Sequence, residues 1–177
     1  PKSAFGGVIS VSEPVGKDLA EEMRDHFIEV LLAPGYDPEA LDILSEKPNR
    51  RILDIGDLLD RKEELYKGRC SKGVFGGLLA QSYDTFDIKE WRVVTEREPT
   101  SSETKALRFA WKVTKYVKSN ALVYATENQT IGIGSGQVSR VDSARFGAEK
   151  AEEHNLDTRG TVAATDSFFP FRDGLDE

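Results

Sequence analysis

The stretch "QTIGIGSGQVSRVDSAR" (Gln129 to Arg145) is the most distinctive segment of this 177-residue chain, and its pattern is the main evidence for the fold. Branched aliphatic residues alternate with glycines, and the pattern then changes to one typical of the start of a helix. Glycine lets the backbone bend sharply or approach a ligand closely, and a helix N-terminus offers free N–H groups. The stretch therefore predicts a phosphate cradle, a redox-cofactor fingerprint or a tight turn.

The spacing of the glycines narrows these three alternatives. A dinucleotide fingerprint would need its third glycine where Gln137 stands, and no Gly-Lys-Ser/Thr follows to make a P-loop. Two interpretations remain open. Either the helix N-terminus binds a ligand with help from Ser139 and Arg140, or the segment is a glycine-rich turn that leads into a packed helix.

The segments around this stretch alternate between strand and helix patterns, which predicts an α/β layered fold. Strands are predicted in "AFGGVISVS", "IEVLLAPGY", "RRILDIG", "GVFGGLLAQSYD" and "GTVAATDSFFPF", and a hairpin in "NALVYATENQTIGIG". Helical spacing predicts a helix in "VGKDLAEEMRDHF", with Leu19, Met23 and Phe27 on its apolar side. A second helix is predicted in "DPEALDILSE", with Asp37 as its N-cap.

Two further helices are predicted in the second half of the chain. One covers "PTSSETKALRFAWKVTKYVKS", capped by Ser101 or Ser102, and the other covers "VSRVDSARFGAEKAEEHN". The segment from Asp57 to Lys72 is charged and predicts a surface connection. The "FGG" triplet occurs twice, which is slight evidence for an internal repeat.

Composition limits the classes of partner. The net charge of −7 argues against nucleic acid as the main partner, because phosphate backbones need a basic surface. No apolar run reaches membrane-spanning length, so we expect no membrane association. The lone Cys70 forms no internal disulfide, and no Cys/His cluster typical of a metal site is present in the sequence. These features, with an N-terminus unlike a signal peptide, predict a cytoplasmic protein.

The end of the chain, "TDSFFPFRDGLDE", places three phenylalanines around Pro170 and ends in acids. One interpretation is a core cluster. The other is a slot for a flat heteroaromatic ring, with Asp173 accepting hydrogen bonds from ring nitrogens.

Several motifs together resemble those of AICAR transformylase, the folate-dependent half of a bifunctional purine-biosynthesis family. The resemblance is carried by "SAFGGVIS", "APGYDPEALDIL", "GGLLAQ", "RVVTEREPT", "FAWKVTKYVKSNALVYATENQTIGIGSGQVSRVDSAR" and "TDSFFPFRDGLD", which occur in the family's order from Ser3 to Asp176. It implies an α/β fold of layered, cytidine-deaminase-like lobes, each with a mixed sheet and flanking helices and without zinc. Residues 1–95 would be part of the first lobe and residues 96–177 part of the second, both truncated.

The resemblance also implies a reaction. A formyl group would pass from 10-formyltetrahydrofolate to the 5-amino group of AICAR, in the synthesis of IMP. The implied catalytic residues are Asn120, in "KSN", and Arg140, in "GQVSRVD". Both would also contact the substrate, together with Phe5 and Gly6 of "SAFGG" and the carboxylate of Glu29.

The resemblance also implies folate-contacting residues and a bound ion. Arg140, Val141, Phe168, Pro170 and Asp173 correspond to folate-contacting positions. The resemblance also implies a potassium ion near Ser119 and Asp166, although Ala121 replaces a hydroxyl residue found in some members. The small-molecule partners would be AICAR and a reduced folate, and the parent protein would be a homodimer.

One family feature is missing from this sequence. The family's Lys-His dipeptide, which supplies a base and a cation, precedes "SAFGG", and this chain contains no Lys-His dipeptide. We therefore expect the chain to be an inner part of the enzyme, with little or no activity alone. A non-catalytic nucleotide- or folate-binding module and a purely structural α/β domain remain the alternatives.

Overall fold

The chain forms two compact units of structure, and the boundary between them lies between Lys89 and Glu90. The computed structural model describes residues 5–177, so the first residues of the "SAFGG" motif lie outside the described part. The assignment of residues 1–95 and 96–177 to two transformylase lobes stays a prediction.

A parallel three-stranded sheet forms the centre of the first unit. Strands β1 (Gly7–Ser10), β2 (Ile28–Ala33) and β3 (Arg51–Asp54) lie in the order β1-β2-β3. Helix α1 (Lys17–Met23) connects β1 to β2, and helix α2 (Pro38–Ser45) connects β2 to β3. The three predicted strands and both helices are confirmed, with Asp37 in the N-cap position and Pro38 at the start of α2.

The apolar side of α1 differs from the predicted one. Met23 is buried as predicted, but Leu19 is 40% exposed and Phe27 is 45% exposed. The prediction was wrong for these two: Leu19 lies within α1, but Ala20 takes the buried position, and Phe27 lies beyond the end of α1 at Met23. The chain has already left the helix when it reaches Phe27.

A buried arginine joins the C-terminal ends of the two helices. The Arg50 guanidinium donates hydrogen bonds to the carbonyl oxygens of Met23 (3.1 Å), Arg24 (3.3 Å), His26 (3.0 Å) and Leu44 (3.2 Å). Carbonyl groups at a helix C-terminus have no partner within the helix, so they need such donors. Arg50 therefore fixes the turn that delivers the chain into β2.

The segment after β3 lies on the surface, as predicted, and then forms a hairpin. A 3-10 helix (Gly56–Leu59) and the short helix α3 (Lys62–Leu65) precede strands β4 (Arg69–Val74) and β5 (Gly77–Ser82), which pair antiparallel. The prediction of one strand over "GVFGGLLAQSYD" was wrong, because Gly76, with φ of +78°, turns the chain back between the two strands.

The second unit is built on an antiparallel sheet. Strands β6 (Leu122–Ala125), β7 (Thr130–Gly134) and β8 (Val162–Thr165) lie in the order β7-β6-β8. Helix α4 (Ser101–Thr114) precedes the sheet, and helix α5 (Arg140–Glu152) connects β7 to β8. The predicted hairpin and both predicted helices are confirmed.

Helices cover both faces of this sheet. Val123 packs in one cluster with Ala110 of α4, whereas the next residue, Tyr124, donates its hydroxyl to the Ala144 carbonyl of α5 at 3.3 Å. Adjacent strand residues point to opposite faces, so α4 and α5 form the outer layers. The α/β class is confirmed, with parallel and antiparallel pairing in separate sheets rather than in one mixed sheet. The cytidine-deaminase-like arrangement stays a prediction.

The N-cap of α4 is Thr100, and the prediction of Ser101 or Ser102 was wrong. The Thr100 hydroxyl accepts from the Glu103 N–H at 3.2 Å, and the Glu103 carboxylate accepts from the Thr100 N–H at 2.7 Å. This reciprocal pair needs a glutamate three residues after the cap, which only Thr100 has. Among residues 5–177, no helix is long and apolar enough to cross a membrane.

Candidate functional site

The glycines of β7 let α5 pack against the sheet at close range. A methyl group built on Gly132 would collide with the Gly147 carbonyl, and one built on Gly134 would collide with the Ser143 carbonyl. Both contacts are with helix backbone rather than with the end of a flexible side chain. The glycine-rich stretch is therefore required for packing, as the turn interpretation predicts.

The N-terminus of α5 is occupied by its own side chains. The Ser139 hydroxyl accepts from the Asp142 N–H at 3.0 Å and donates to the Asp142 carboxylate at 2.7 Å. A phosphate here would meet that carboxylate. The close-packed glycines thus place the first turn of α5 without making it a phosphate cradle.

Arg140 is the first residue of α5 and points to the end of β8. Its Nε donates to the Thr165 hydroxyl at 3.2 Å, and its Nη2 lies 3.1 Å from Oδ1 of Asp166. The same Oδ1 accepts the Ala121 N–H at 3.1 Å. The Arg140 and Asp166 side chains are only 16% and 23% exposed, so this ion pair is partly shielded from water.

Asn120 lies next to this ion pair in the chain and is tied to α5. Its side-chain amide donates to the Gln137 carbonyl at 3.0 Å, and its own carbonyl accepts the Ser143 hydroxyl at 2.8 Å. An amide NH2 has two N–H donors and an acceptor oxygen. The Gln137 bond therefore orients the amide while using only part of its hydrogen-bonding capacity.

The environment of Asp166 favours its charged form. Burial alone raises the pKa of this carboxyl group, but a hydrogen bond from the Ser119 hydroxyl, one from the Ala121 N–H and the charge of Arg140 together hold the pKa below its ordinary value. The carboxylate is thus ionised at neutral pH. It joins the segment 119–121 to Arg140, and so connects both predicted catalytic residues, Asn120 and Arg140.

In the first unit, the structure brings together Phe5, Gly6 and Glu29. Gly6 has a φ of +74°, and a methyl group built on it would lie 3.5 Å from Cδ of Glu29. Phe5 is 80% exposed and stacks on Phe27, with ring centroids 4.2 Å apart. The three predicted substrate residues are therefore neighbours at the start of β1 and β2.

The terminal phenylalanines do not form one core cluster. Phe169 packs on the Gly174 backbone, where a methyl group would collide with its ring, whereas Phe168 is 76% and Phe171 is 73% exposed. Asp173 begins the short helix α6 (Asp173–Asp176), and its Oδ1 accepts the Gly174 N–H at 2.8 Å. Pro170 is exposed, and Val141 is half-buried in the first turn of α5.

The oxygen groups near Ser119 fit an ion pair better than a potassium site. Asp166 Oδ1 already faces the N–H hydrogens of Ala121 and Arg140, which would repel a cation bound to that oxygen. Within residues 5–177, no group of three or more His, Cys, Asp or Glu side chains is arranged to hold a metal ion.

The sequence patterns did not identify several residues that hold the predicted site residues in place. Ser143, Gln137 and Thr165 each hold a predicted catalytic residue, and Phe27 holds Phe5. Only Ser143 carried a usable signal, since its position four residues after the cap Ser139 places it on the same face of α5. The other contacts depend on tertiary structure.

The second unit thus brings a neutral amide, Asn120, into the chain segment whose next residue, Ala121, donates to Asp166, an ionised carboxylate that also holds the Arg140 guanidinium. Such groups act by positioning and by donating hydrogen bonds to developing charge.

Comparisons with known proteins identify the family of this chain. A sequence model of the AICARFT/IMPCHase bienzyme family matches residues 1–150. The bifunctional purine biosynthesis protein PurH of Persephonella marina is 48% identical over 100% of this chain, and that of Acidithiobacillus ferrooxidans is 47% identical over 99%. The PurH of Chloroflexus aurantiacus is 45% identical over 99%.

The match covers only part of these relatives. The chain spans about a third of their length, 34% in each of the three. A family match over residues 1–150 and whole-chain identity near one half establish common descent all the same. The chain belongs to the AICARFT/IMPCHase bienzyme family.

Proposed function

We propose that this chain forms part of an AICAR transformylase active site in purine biosynthesis. The observation that carries the proposal is the hydrogen-bonded set in which Asp166 links Arg140 to the segment that presents Asn120. This set lies in the residues that resemble the transformylase. The substrates would be AICAR and 10-formyltetrahydrofolate.

The reaction needs three kinds of assistance. The 5-amino nitrogen of AICAR attacks the formyl carbon, and the carbonyl oxygen takes up negative charge. The bond from that carbon to N10 of the folate then breaks, N10 gains a proton and the amine nitrogen loses one. The products are formyl-AICAR and tetrahydrofolate. Because the amine lone pair is delocalised into the ring, positioning, oxyanion stabilisation and a base are all needed.

Asn120 is the residue we assign to the reacting atoms. Its amide is oriented by the Gln137 carbonyl, which leaves a second N–H for the developing oxyanion or the oxygen for the amine hydrogens. Arg140 would donate to the folate formyl group or its neighbouring carbonyl. Its contact with Asp166 holds the guanidinium in place while substrates are absent.

The folate and nucleotide contacts follow the resemblance. Phe168 and Pro170 would pack on the pterin ring, Asp173 would accept from its amino-pyrimidine edge, and Val141 would line the same site. Exposure of Phe168 supports a binding role, because a large exposed aromatic surface is available to a flat ring. Phe5, Gly6 and Glu29 would contact AICAR, with Glu29 accepting from ribose hydroxyl groups.

The remaining parts of the proposal concern groups beyond these residues. A Lys-His segment of the parent protein would supply the base, and the parent would act as a cytoplasmic homodimer. The hydrogen bonds at Asp166 Oδ1 do not favour the potassium ion predicted near Ser119, so the proposal assigns no role to it.

A formyl-transfer assay on the full-length protein tests the proposal. With AICAR and 10-formyltetrahydrofolate, we expect formyl-AICAR and tetrahydrofolate in equal amounts. Asn120→Leu keeps the side-chain size but removes the amide, and kcat should fall about 100-fold, as for loss of an oxyanion donor. Asn49→Leu, at an exposed position in the first unit, is the control and should retain activity.

The outcomes separate the alternatives. Absence of product from the wild-type protein, with both substrates bound, would contradict transfer and favour the non-catalytic binding module. Full activity of Asn120→Leu would remove Asn120 from the reaction. Absence of binding to either substrate would leave the structural domain as the surviving interpretation.

A further inference from the structure

We propose that Phe27 is a positioning residue for the predicted nucleotide-contacting residues of the first unit, acting through Phe5 and Gly6. The inference rests on the proposed function, since it assumes that Phe5 and Gly6 contact AICAR. Phe27 carries no chemistry of its own and was predicted to lie in the apolar stripe of α1, but the structure puts it elsewhere.

The main chain of Phe27 holds the "FGG" backbone. Its carbonyl accepts the N–H of Gly6 at 3.2 Å and the N–H of Gly7 at 3.4 Å. Gly6 adopts a φ of +74°, which most residues avoid, so this backbone needs a partner that fixes it. One carbonyl oxygen thus sets the direction in which the segment enters β1.

The side chain of Phe27 holds the ring of Phe5. The two rings are stacked, with centroids 4.2 Å apart and an angle of 23° between their planes. Phe5 is 80% exposed, so the described residues leave most of its surface open to solvent. Without Phe27, the Phe5 side chain would be free to change rotamer at the surface.

Phe27 is itself held in position by its neighbours in the chain. It follows His26, whose carbonyl accepts a hydrogen bond from the buried Arg50 guanidinium at 3.0 Å, and it precedes the buried Ile28 of β2. The chain is therefore fixed on both sides of Phe27. Two residues further along β2, Glu29 lies beside Gly6.

These contacts connect the buried Arg50 to Phe5 and Gly6 through Phe27. Arg50 fixes the turn, the turn fixes Phe27, and Phe27 fixes both the Phe5 ring and the Gly6 backbone. A flat ligand ring that stacks on Phe5 would gain affinity because Phe5 is already ordered. The expected consequence of losing Phe27 is weaker nucleotide binding with an unchanged transfer step.

The test compares Phe27→Leu and Phe27→Tyr in the full-length protein. Phe27→Leu keeps the backbone carbonyl but removes the ring, and we expect the Kd and KM for AICAR to rise about threefold to tenfold, the usual range for an aromatic pair. The kcat and the KM for the folate should change less than about twofold. Phe27→Tyr keeps the ring and should restore wild-type values.

Controls separate positioning from general stability. Phe86→Leu changes another exposed phenylalanine of the first unit, 72% exposed, and should leave the Kd for AICAR unchanged. In a double-mutant cycle with Phe5→Leu, the second substitution should add little, because both remove the same stacked pair. If Phe27→Leu fails to fold, Phe27→Met takes its place in the same comparison.

Calorimetric titration of AICAR distinguishes failure of this inference from failure of the proposed function. An unchanged AICAR Kd in Phe27→Leu, or a loss that adds fully to that of Phe5→Leu, overturns the role of Phe27 while wild-type turnover still supports the transformylase. Weaker binding by Phe27→Leu supports the role even if the wild type transfers no formyl group. A wild-type protein that binds no AICAR overturns both.

Discussion

The two groups of candidate site residues are held in place by different means. In the first unit, Phe5 and Gly6 are positioned by main-chain hydrogen bonds and ring stacking, and the Phe5 ring is largely exposed. In the second unit, Asn120 and Arg140 belong to a polar network: the Asn120 side-chain amide donates to the Gln137 carbonyl, and the Arg140 guanidinium donates to the Asp166 carboxylate.

Under the proposed function, this difference implies that the first group serves nucleotide binding and the second serves formyl transfer, a division of labour between the two. An exposed ring and a bent backbone offer surface for binding, whereas oriented amide and guanidinium groups offer hydrogen bonds to changing charge. Disturbing the first group should therefore change affinity for the nucleotide. Disturbing the second should change the rate of transfer.

The largest expected effect comes from breaking the packing beneath the second group. Gly134→Ala would drive a methyl group into the Ser143 carbonyl of α5, which cannot move without displacing Asn120 and Arg140. We expect a loss of about 3 kcal/mol in the free energy of unfolding, measured by urea denaturation.

The same substitution at an open glycine provides the control. A methyl group on Gly73 meets nothing within 4 Å, so Gly73→Ala should change stability little. Equal stability of Gly134→Ala and Gly73→Ala would contradict the close-packing account of the glycine-rich stretch.

A smaller effect, on activity, is expected from Asp166→Asn. This change removes the negative partner of Arg140 but keeps a side chain of the same size, and kcat/KM should fall about thirtyfold, equivalent to about 2 kcal/mol. Steady-state kinetics of the full-length protein measure it.

An exposed ion pair in the same unit serves as the comparison. Asp157 pairs with Arg159 at 2.7 Å, but the two side chains are 54% and 91% exposed. Asp157→Asn should therefore leave kcat/KM close to the wild-type value. If both variants behave alike, the Asp166 link between Asn120 and Arg140 does not matter for activity.

The smallest expected effect is on the acid stability of α4. The Arg97 hydrogen bond and the Thr100 capping bonds lower the pKa of Glu103 to about 2 from an ordinary value of 4.5. A lowered pKa means that this stabilisation is present above the unfolded-state pKa and is lost as the pH falls from about 4.5 through about 2. Glu103→Gln should flatten that part of the stability profile, measured by urea unfolding at a series of pH values.

A second glutamate provides a control for the contribution of the capping box to acid stability. Glu21 pairs with Arg24 at 3.1 Å on the surface but caps no helix N-terminus. Glu21→Gln is the matched control, because it removes an exposed carboxylate without touching a helix cap. A profile of Glu103→Gln indistinguishable from the wild type would show that the capping box adds no pH-dependent stability.

Sequence patterns predicted elements that depend on local chemistry. The β6-β7 hairpin and α2 were predictable because apolar runs, turn residues and a Pro at the helix start are local signals. The position of Phe27 was not, because α1 ends at Met23 and Arg50, more than 20 residues later, shapes the turn that follows. The β4-β5 hairpin was not predicted because Gly76, where the chain turns, lies within an apolar run that also fits a single strand.

The candidate site residues come from the resemblance and stay a prediction, whereas the contacts that connect them are seen only in the structure. Resemblance identified Asn120 and Arg140, yet the bond from Arg140 to Asp166 spans 26 residues of sequence and depends on β8 lying beside β6. Likewise, the spacing from Ser139 places Ser143 on one face of α5 but does not predict that its hydroxyl donates to the Asn120 carbonyl. Such contacts arise from tertiary packing and become visible only in the fold.

The division of labour is tested most directly by the single-turnover rate of formyl transfer in Asn120→Leu, measured on the full-length protein with both substrates saturating. Our account predicts a rate about 100-fold below that of the wild type. It also predicts a much smaller change in the AICAR Kd than in the rate, since the nucleotide contacts of the first unit are intact. A wild-type transfer rate, or a loss confined to AICAR affinity, would contradict the assignment of the Asn120 network to the transfer step.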